Sequence, residues 1–163
     1  MSSSNEQLYR RIIMDHYRNP RNKGLVKEVG YVTVHLRNPS CGDDLTVQLK
    51  ADHDCLAEVR QEGSGCSICC SSASMMTELL QGDSLSEATA KIASFRQMIE
   101  GETYDEDVLG DAVSLQGVSQ LPQRVKCAML AWKACEQGID LLAQKAAGQV
   151  DPTTNRIESL NEE

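Results

Sequence analysis

Between Tyr31 and Gly65 the chain reads Tyr31-Val32-Thr33-Val34-His35-Leu36, then Asn38-Pro39, then Leu45-Thr46-Val47-Gln48-Leu49-Lys50, then Cys55-Leu56-Ala57-Glu58-Val59-Arg60. The first run is rich in β-branched residues, which favour strands. In the second, Leu45, Val47 and Leu49 alternate with Thr46, Gln48 and Lys50, the period-2 pattern of a half-buried strand. Ala51-Asp52-His53-Asp54 is a polar turn, and Gly63-Ser64-Gly65 ends the third run. Strands this closely connected form an antiparallel meander, because parallel neighbours need a crossover of a dozen or more residues.

Helical patterns lie on both sides. Upstream, Tyr9, Ile13 and Tyr17 recur at helical spacing, as do Leu8 and Ile12, so Leu8–Tyr17 is an amphipathic helix that stops at Asn19-Pro20. Downstream, residues 67–80 form a helix closed by Gly82. Ser84 and Glu87 make an S-x-x-E capping box. Behind it Leu85, Ala88, Ile92, Phe95 and Ile99 make an apolar stripe ending at Gly101. Residues 102–110 are an acidic loop, Asp111–Leu115 a short helix, and Pro122 opens a last helix running through Trp132 toward Ala147. The fold class is therefore α+β, a small three-stranded antiparallel sheet with helices packed on it. It is expected as one domain over residues 1–148, with 1–7 frayed and 149–163 a disordered tail too polar to bury.

At 163 residues the chain is long enough for one core without covalent staples. Its 16 basic against 24 acidic residues give a net charge of −8. That excludes a sequence-independent grip on nucleic acid and docking on anionic lipid. The first residues carry neither a basic nor an apolar signal region, and no run approaches the roughly 18 apolar residues of a membrane helix. The expected compartment is the reducing cytoplasm, and in such a compartment seven cysteines call for an explanation other than disulfides.

Three of them sit on connections beside proline or glycine. Cys41 lies in Asn38-Pro39-Ser40-Cys41-Gly42-Asp43, between the first two strands. Cys66 follows Gly63-Ser64-Gly65 at a helix start, and Cys127 lies in the first turns of the last helix. Asp43 is two residues past Cys41. Three thiolates and one carboxylate suit a tetrahedral metal, zinc or iron–sulfur iron. Spacing alone leaves a second reading, three unrelated buried cysteines. Cys55 and Cys135 read as structural, and His16 as a packed or capping residue.

The stretch from Leu8 to Gly24, the Asn38–Asp43 motif, Gly63-Ser64-Gly65-Cys66-Ser67-Ile68 and Ser72-Ala73-Ser74-Met75-Met76-Thr77 together resemble the IscU/NifU-type iron–sulfur assembly proteins, over roughly residues 8–140. The long interval between Cys66 and Cys127 and the absence of a histidine before Cys127 resemble the SufU branch. The resemblance implies that Cys41, Asp43, Cys66 and Cys127 hold zinc and that Cys41 accepts sulfur. The implied partner is a SufS-type pyridoxal-phosphate cysteine desulfurase, with Suf scaffold proteins downstream. Two other readings use the same four residues: a scaffold carrying a transient iron–sulfur cluster, and a structural zinc protein.

Two departures bear on that choice. Lys126 stands where the cluster-building scaffolds have a histidine, and a protonated amine is a poor ligand. Leu121-Pro122-Gln123-Arg124-Val125-Lys126 only partly matches their chaperone-binding sequence. Arg124 and Lys126 either bring positive charge to the thiolates or sit solvated on a helix start. Cys69 and Cys70 follow Cys66 at i+3 and i+4, and Cys66-Ser67-Ile68-Cys69 is a C-x-x-C at a helix start. They serve as reserve ligands or a protective disulfide, or simply as small residues packed on the helix. A thioredoxin fold is excluded by the missing βαβ pattern.

Overall fold

The computed structural model describes residues 3–39, 41–148 and 156–160. Helix α1 spans Ser3–Arg18, and strands β1 (Tyr31–Asn38), β2 (Asp43–Asp52) and β3 (Cys55–Ser64) follow. Then come α2 (Ser67–Leu80), α3 (Leu85–Ile99), two 3₁₀ segments (Glu106–Val108 and Gly110–Gln120), α4 (Pro122–Ala146) and β4 (Arg156–Leu160). The sheet order is β3-β2-β1-β4.

β1, β2 and β3 form the expected antiparallel meander. The expected acidic loop holds a 3₁₀ turn, Glu106–Val108, and the expected short helix Asp111–Leu115 is a longer 3₁₀ run, Gly110–Gln120. Two further elements differ from expectation. The first helix begins at Ser3 rather than Leu8, with Asn5, Glu6 and Gln7 exposed on it. The apolar spacing marks only the packed turns, while solvated polar residues continue the helix without leaving a hydrophobic signature. The second difference is β4. Arg156–Leu160, expected within a disordered tail, pairs in parallel with β1, Thr33 opposite Arg156 and Arg37 opposite Leu160. β1 would otherwise present a row of unpaired backbone groups, and an edge of that kind is a template for a further strand whatever the added segment's composition. The rest of the expected tail, and residues 1–2 of the expected frayed start, lie outside the described residues.

One face of the sheet carries the core. Val32, Val34 and Leu36 of β1 and Leu45, Val47 and Leu49 of β2 are all buried beneath the helices. α4 lies against β1 and β2, and α2 packs between α4 and α1. At Gly138, α4 comes so near the sheet that a Cβ there would stand 2.7 Å from Leu49 Cδ1. The other face is covered too, so the alternation in β2 does not mean exposure. The segment after Pro20 crosses it: Gln48 Oε1 accepts the Val26 amide at 2.8 Å and its Nε2 donates to the Val26 carbonyl at 2.9 Å.

A polar chain inside the helical layer fixes α2 against α4. The Trp132 indole N–H donates to Ser72 Oγ at 2.8 Å, and the Ser72 hydroxyl donates to the Ala128 carbonyl at 2.6 Å. Trp132 also stacks on Phe95 of α3, centroids 3.9 Å apart and planes 8° from parallel. Buried hydrogen bonds of this kind specify one packing, since an unmatched partner would carry its full desolvation cost. Their functional consequence is that the first turns of α2 and α4 are held beside each other.

α1 is fixed through His16, which is fully buried. Ser74 Oγ accepts the Arg21 amide and stands 2.8 Å from His16 Nδ1, while His16 Nε2 is 2.9 Å from Asp111 Oδ2. Nδ1 thus faces a hydroxyl that can donate or accept, and Nε2 faces a carboxylate that accepts. His16 is the packed residue the sequence suggests.

Candidate metal centre

The site is assembled where three connections end. β1 and β2 pair out to Asn38 opposite Asp43, and the hairpin connection between them carries Cys41 and Gly42. The Asn38 carbonyl accepts the amides of Cys41 at 3.2 Å and Gly42 at 2.9 Å. Gly42 has φ +77°, a left-handed conformation that glycine adopts without steric cost. The loop therefore places Cys41 at its exposed tip and returns the chain into the sheet at Asp43, which is 1 % exposed.

β3 runs back alongside to Ser64, opposite Asp44. The glycines of Gly63-Ser64-Gly65 are dictated by contact. A Cβ at Gly63 would collide with the Asp44 carbonyl oxygen, and one at Gly65 with Asp43 Oδ1. The absence of a side chain at 65 lets Cys66, the N-cap of α2, reach Asp43: its amide donates to Oδ1 at 3.2 Å. Asp43 Oδ2 is buried and has no hydrogen-bond partner among the described residues. A carboxyl oxygen buried without a partner is costly, and a metal ligand is one of the few roles that explains it.

Cys127 completes the arrangement from α4. It is buried, and its thiol lies 3.5 Å from Cys41 Sγ. Ligand atoms of Cys41, Asp43 and Cys127 all fall within 4.8 Å of one another. Cys66 adjoins them through its amide, but its sulfur is outside that group. Three of the four residues read from the sequence are thus brought together as donors, and the fourth is adjacent. Two thiols and a carboxylate, with a third thiol beside them, fit zinc, which takes four tetrahedral ligands and accepts sulfur and oxygen alike.

The surroundings disfavour anionic sulfur inside the site. Burial, followed by contact with Asp43 and Cys41, pushes the Cys127 thiol well above its usual range. A metal reverses that preference, because it binds the thiolate. At the rim, Asn38 Nδ2 donates to Cys41 Sγ at 3.3 Å. Arg124, exposed on the first turn of α4, has its guanidinium raised first by a hydrogen bond to Cys127 and then by the charges of Cys66, Cys127 and Cys41. Arg124 is thus both solvated on a helix start and within electrostatic reach of the thiols, so the two readings left open for it are not exclusive. Asn38 was missed as a contact residue, although it opens the motif that contains Cys41 and Asp43.

The other cysteines divide differently from expectation. Cys135 is fully buried in α4, as a structural residue should be. Cys55 is exposed, because it is the first residue of β3 and sits at the corner of the hairpin rather than under the helices. Cys69 is buried and Cys70 half-buried on α2. His16, Glu78 and Asp111 also bring ligand atoms within 4.8 Å of one another. There Arg21 already meets Glu78, Nε to Oε2 3.7 Å, so the charge is balanced by a side chain.

Comparisons with known proteins follow the same lines. The chain is 45% identical over 135 residues to the zinc-dependent sulfurtransferase SufU of Bacillus subtilis, covering 82% of this chain and 90% of that one. It is 38% identical over 133 residues to the iron–sulfur cluster assembly scaffold protein IscU of Streptococcus pyogenes, covering 81% and 82%. Among solved structures, a candidate iron–sulfur cluster assembly scaffold protein for the SUF system from Fervidobacterium islandicum superimposes with TM-score 0.73 at 31% identity, over 82% of this chain and 98% of that chain. A NifU-like N-terminal domain from Brucella abortus shares the fold, with TM-score 0.75 at 22% identity over 88% and 99%. The NifU-like N terminal domain family matches residues 8–147, a span that contains every residue of the site, and to that family the chain belongs.

Proposed function

We propose that this protein is a zinc-dependent sulfurtransferase of iron–sulfur cluster assembly, which accepts persulfide sulfur from a SufS-type cysteine desulfurase in the cytoplasm. One observation carries the reading. Cys41 is the exposed member of a donor group whose other two members, Asp43 and Cys127, are buried. An exposed thiol is one that a partner's persulfide can reach. The similarity to the SufU of Bacillus subtilis supports the same reading.

Cys41, Asp43, Cys66 and Cys127 would hold zinc, which would keep thiols deprotonated without redox chemistry of its own. The chain's residues do the rest. Asp43 and Cys127 hold their place because β2 and α4 are packed around them. Cys41 moves with its loop, and Gly42, which has nothing within 4 Å of its missing Cβ, leaves room for that movement. When the partner docks, the Cys41 thiolate attacks the outer sulfur of the partner's persulfide. A new S–S bond forms on Cys41, the partner's S–S bond breaks, and the partner's cysteine leaves as a thiolate. Asn38 and Arg124 offer N–H groups and positive charge to anionic sulfur at that moment. An apolar groove of about 520 Å³, lined by Tyr9, Ile13, Ile68 and Leu121 among others, gives a desulfurase a surface to bind.

The second reading is a scaffold on which an iron–sulfur cluster forms; the similarity to the Streptococcus pyogenes IscU favours it. Metal analysis and a visible spectrum of the purified protein separate the two. The first reading expects colourless protein with one zinc per chain and a desulfurase that works faster in its presence. Brown protein containing iron, or no effect on the desulfurase, contradicts it.

A further inference from the structure

The start of α2 carries three thiols, and the metal centre uses one of them. Cys66 is the N-cap and Cys69 the third helical residue, N3. The same pair of positions is occupied on α3 by Ser84 and Glu87, and there the outcome is visible. Ser84 has φ −67° and ψ 162°, and its Oγ accepts the Glu87 amide at 3.0 Å. Cys66 has nearly the same backbone, φ −72° and ψ 169°, but its side chain makes no capping bond. Its sulfur is thus carried by a backbone that sets an N-cap side chain over N3, where the neighbour is another thiol.

Cys69 and Cys70 face different ways. Cys69 is 1 % exposed, and burial, followed by the charges of Asp43, Cys70, Cys66 and Cys41, pushes its thiol up. The Cys70 thiol donates instead to the Gly65 carbonyl at 3.7 Å. It lines a separate groove with Tyr17, Lys23 and Gln61. Residues three apart on a helix have Cβ atoms about 5–6 Å apart, and a disulfide needs about 4 Å. Rotation of the N-cap residue, which is outside the helical ladder, can close that difference.

We propose that Cys66 and Cys69 are a dithiol that hydroperoxides oxidise reversibly to a disulfide, with Cys66 the attacked sulfur and Cys69 the resolving thiol. Cys66 is half-buried and reachable, whereas Cys69 is closed to solvent. The Cys66 thiolate attacks a peroxide oxygen: an S–O bond forms, the O–O bond breaks, and hydroxide leaves, or alkoxide where the peroxide is organic. Cys69 gives up its proton and attacks the Cys66 sulfur: the S–S bond forms, the S–O bond breaks, and the departing hydroxide takes that proton as water. Two thiols are oxidised and one peroxide is reduced. A sulfur tied to Cys69 is lost as a ligand, so oxidation also releases the metal; this last consequence rests on the metal reading above.

The test is peptide mapping after treatment with hydrogen peroxide, on chelator-stripped and zinc-loaded protein. The variants are Cys69→Ser, Cys69→Ala and Cys70→Ser, each checked for native circular dichroism. All three thiols fall in the tryptic peptide Gln61–Lys91. The wild-type and C70S peptides should lose two hydrogens and regain them with dithiothreitol. Both Cys69 variants should go on to irreversible sulfinic acid at Cys66. An internal disulfide that survives C69S, one that vanishes in C70S, or a link to the Cys41 or Cys127 peptide would overturn the pairing. Zinc should leave the wild type as the disulfide forms. A disulfide that forms with zinc retained would remove Cys66 from the ligand set while leaving the dithiol standing.

Discussion

Asp43→Asn separates the two opposite things the buried carboxylate does. It is 1 % exposed, Oδ1 accepts one amide hydrogen at 3.2 Å, and Oδ2 has no partner among the described residues. A buried polar atom left without a partner costs about 1–3 kcal/mol, and more when charged. Asparagine keeps an oxygen for the Cys66 amide and replaces the unpartnered oxygen with a neutral group that can donate toward sulfur. Without metal, the variant should therefore be more stable than the wild type by about 1–3 kcal/mol. In a chain of this length each kcal/mol moves the melting temperature by about 2–4 °C. With zinc the order should invert. A ligand present at about a thousand times its dissociation constant adds about 4 kcal/mol, and a neutral amide oxygen gives up much of the affinity behind that gain. The assay is thermal unfolding of both proteins in chelator and in zinc. A variant less stable than the wild type in chelator, or an equal gain from zinc in both, would refute the assignment of Asp43.

Gly65→Ala sets a methyl group against Asp43 Oδ1 and should weaken zinc binding about 10–100-fold, the usual effect of disturbing a ligand's support, as read by competition with a chromogenic chelator. Phe95→Ala removes the ring stacked on Trp132 and should lower stability by about 3–5 kcal/mol in urea unfolding. Burial pushes the Cys135 thiol up to about 12 from 9.0. Its contribution to stability is complete below pH 9 and declines as the pH rises toward 12, because the unfolded chain ionises first. Between those limits the wild type should lose about 1.4 kcal/mol per pH unit more than Cys135→Ala, measured by urea unfolding across the alkaline range.

Elements whose signal is local were legible in the sequence. The Ser84–Glu87 box, the start of α4 at Pro122 and the meander each depend on a few neighbouring residues, and each stands where the pattern put it. What depends on distant partners was not legible. β4 exists because β1 has a free edge, and nothing in Arg156–Leu160 declares that edge. Gln48 reads as an exposed position and is buried, since a segment about twenty residues earlier crosses over it. Cys55 fits an apolar run but begins a strand at an exposed corner. In the site, the motifs named Cys41, Asp43, Cys66 and Cys127, while the aim of Arg124 and Asn38 at sulfur needed three dimensions. Cys66 meets Asp43 through its amide rather than joining the donor group. Thiols have no attraction for one another that would gather a full set of ligands without the metal.

The central claim is that sulfur arrives on Cys41. The direct measurement is mass spectrometry of the protein, alkylated and digested after brief incubation with a SufS-type desulfurase and cysteine. One added sulfur should appear on the peptide containing Cys41 and disappear in Cys41→Ala, with the peptides of Cys66 and Cys127 unmodified in both. Sulfur on Cys66, Cys70 or Cys127 in the wild type, or a modification that persists without Cys41, would contradict the account.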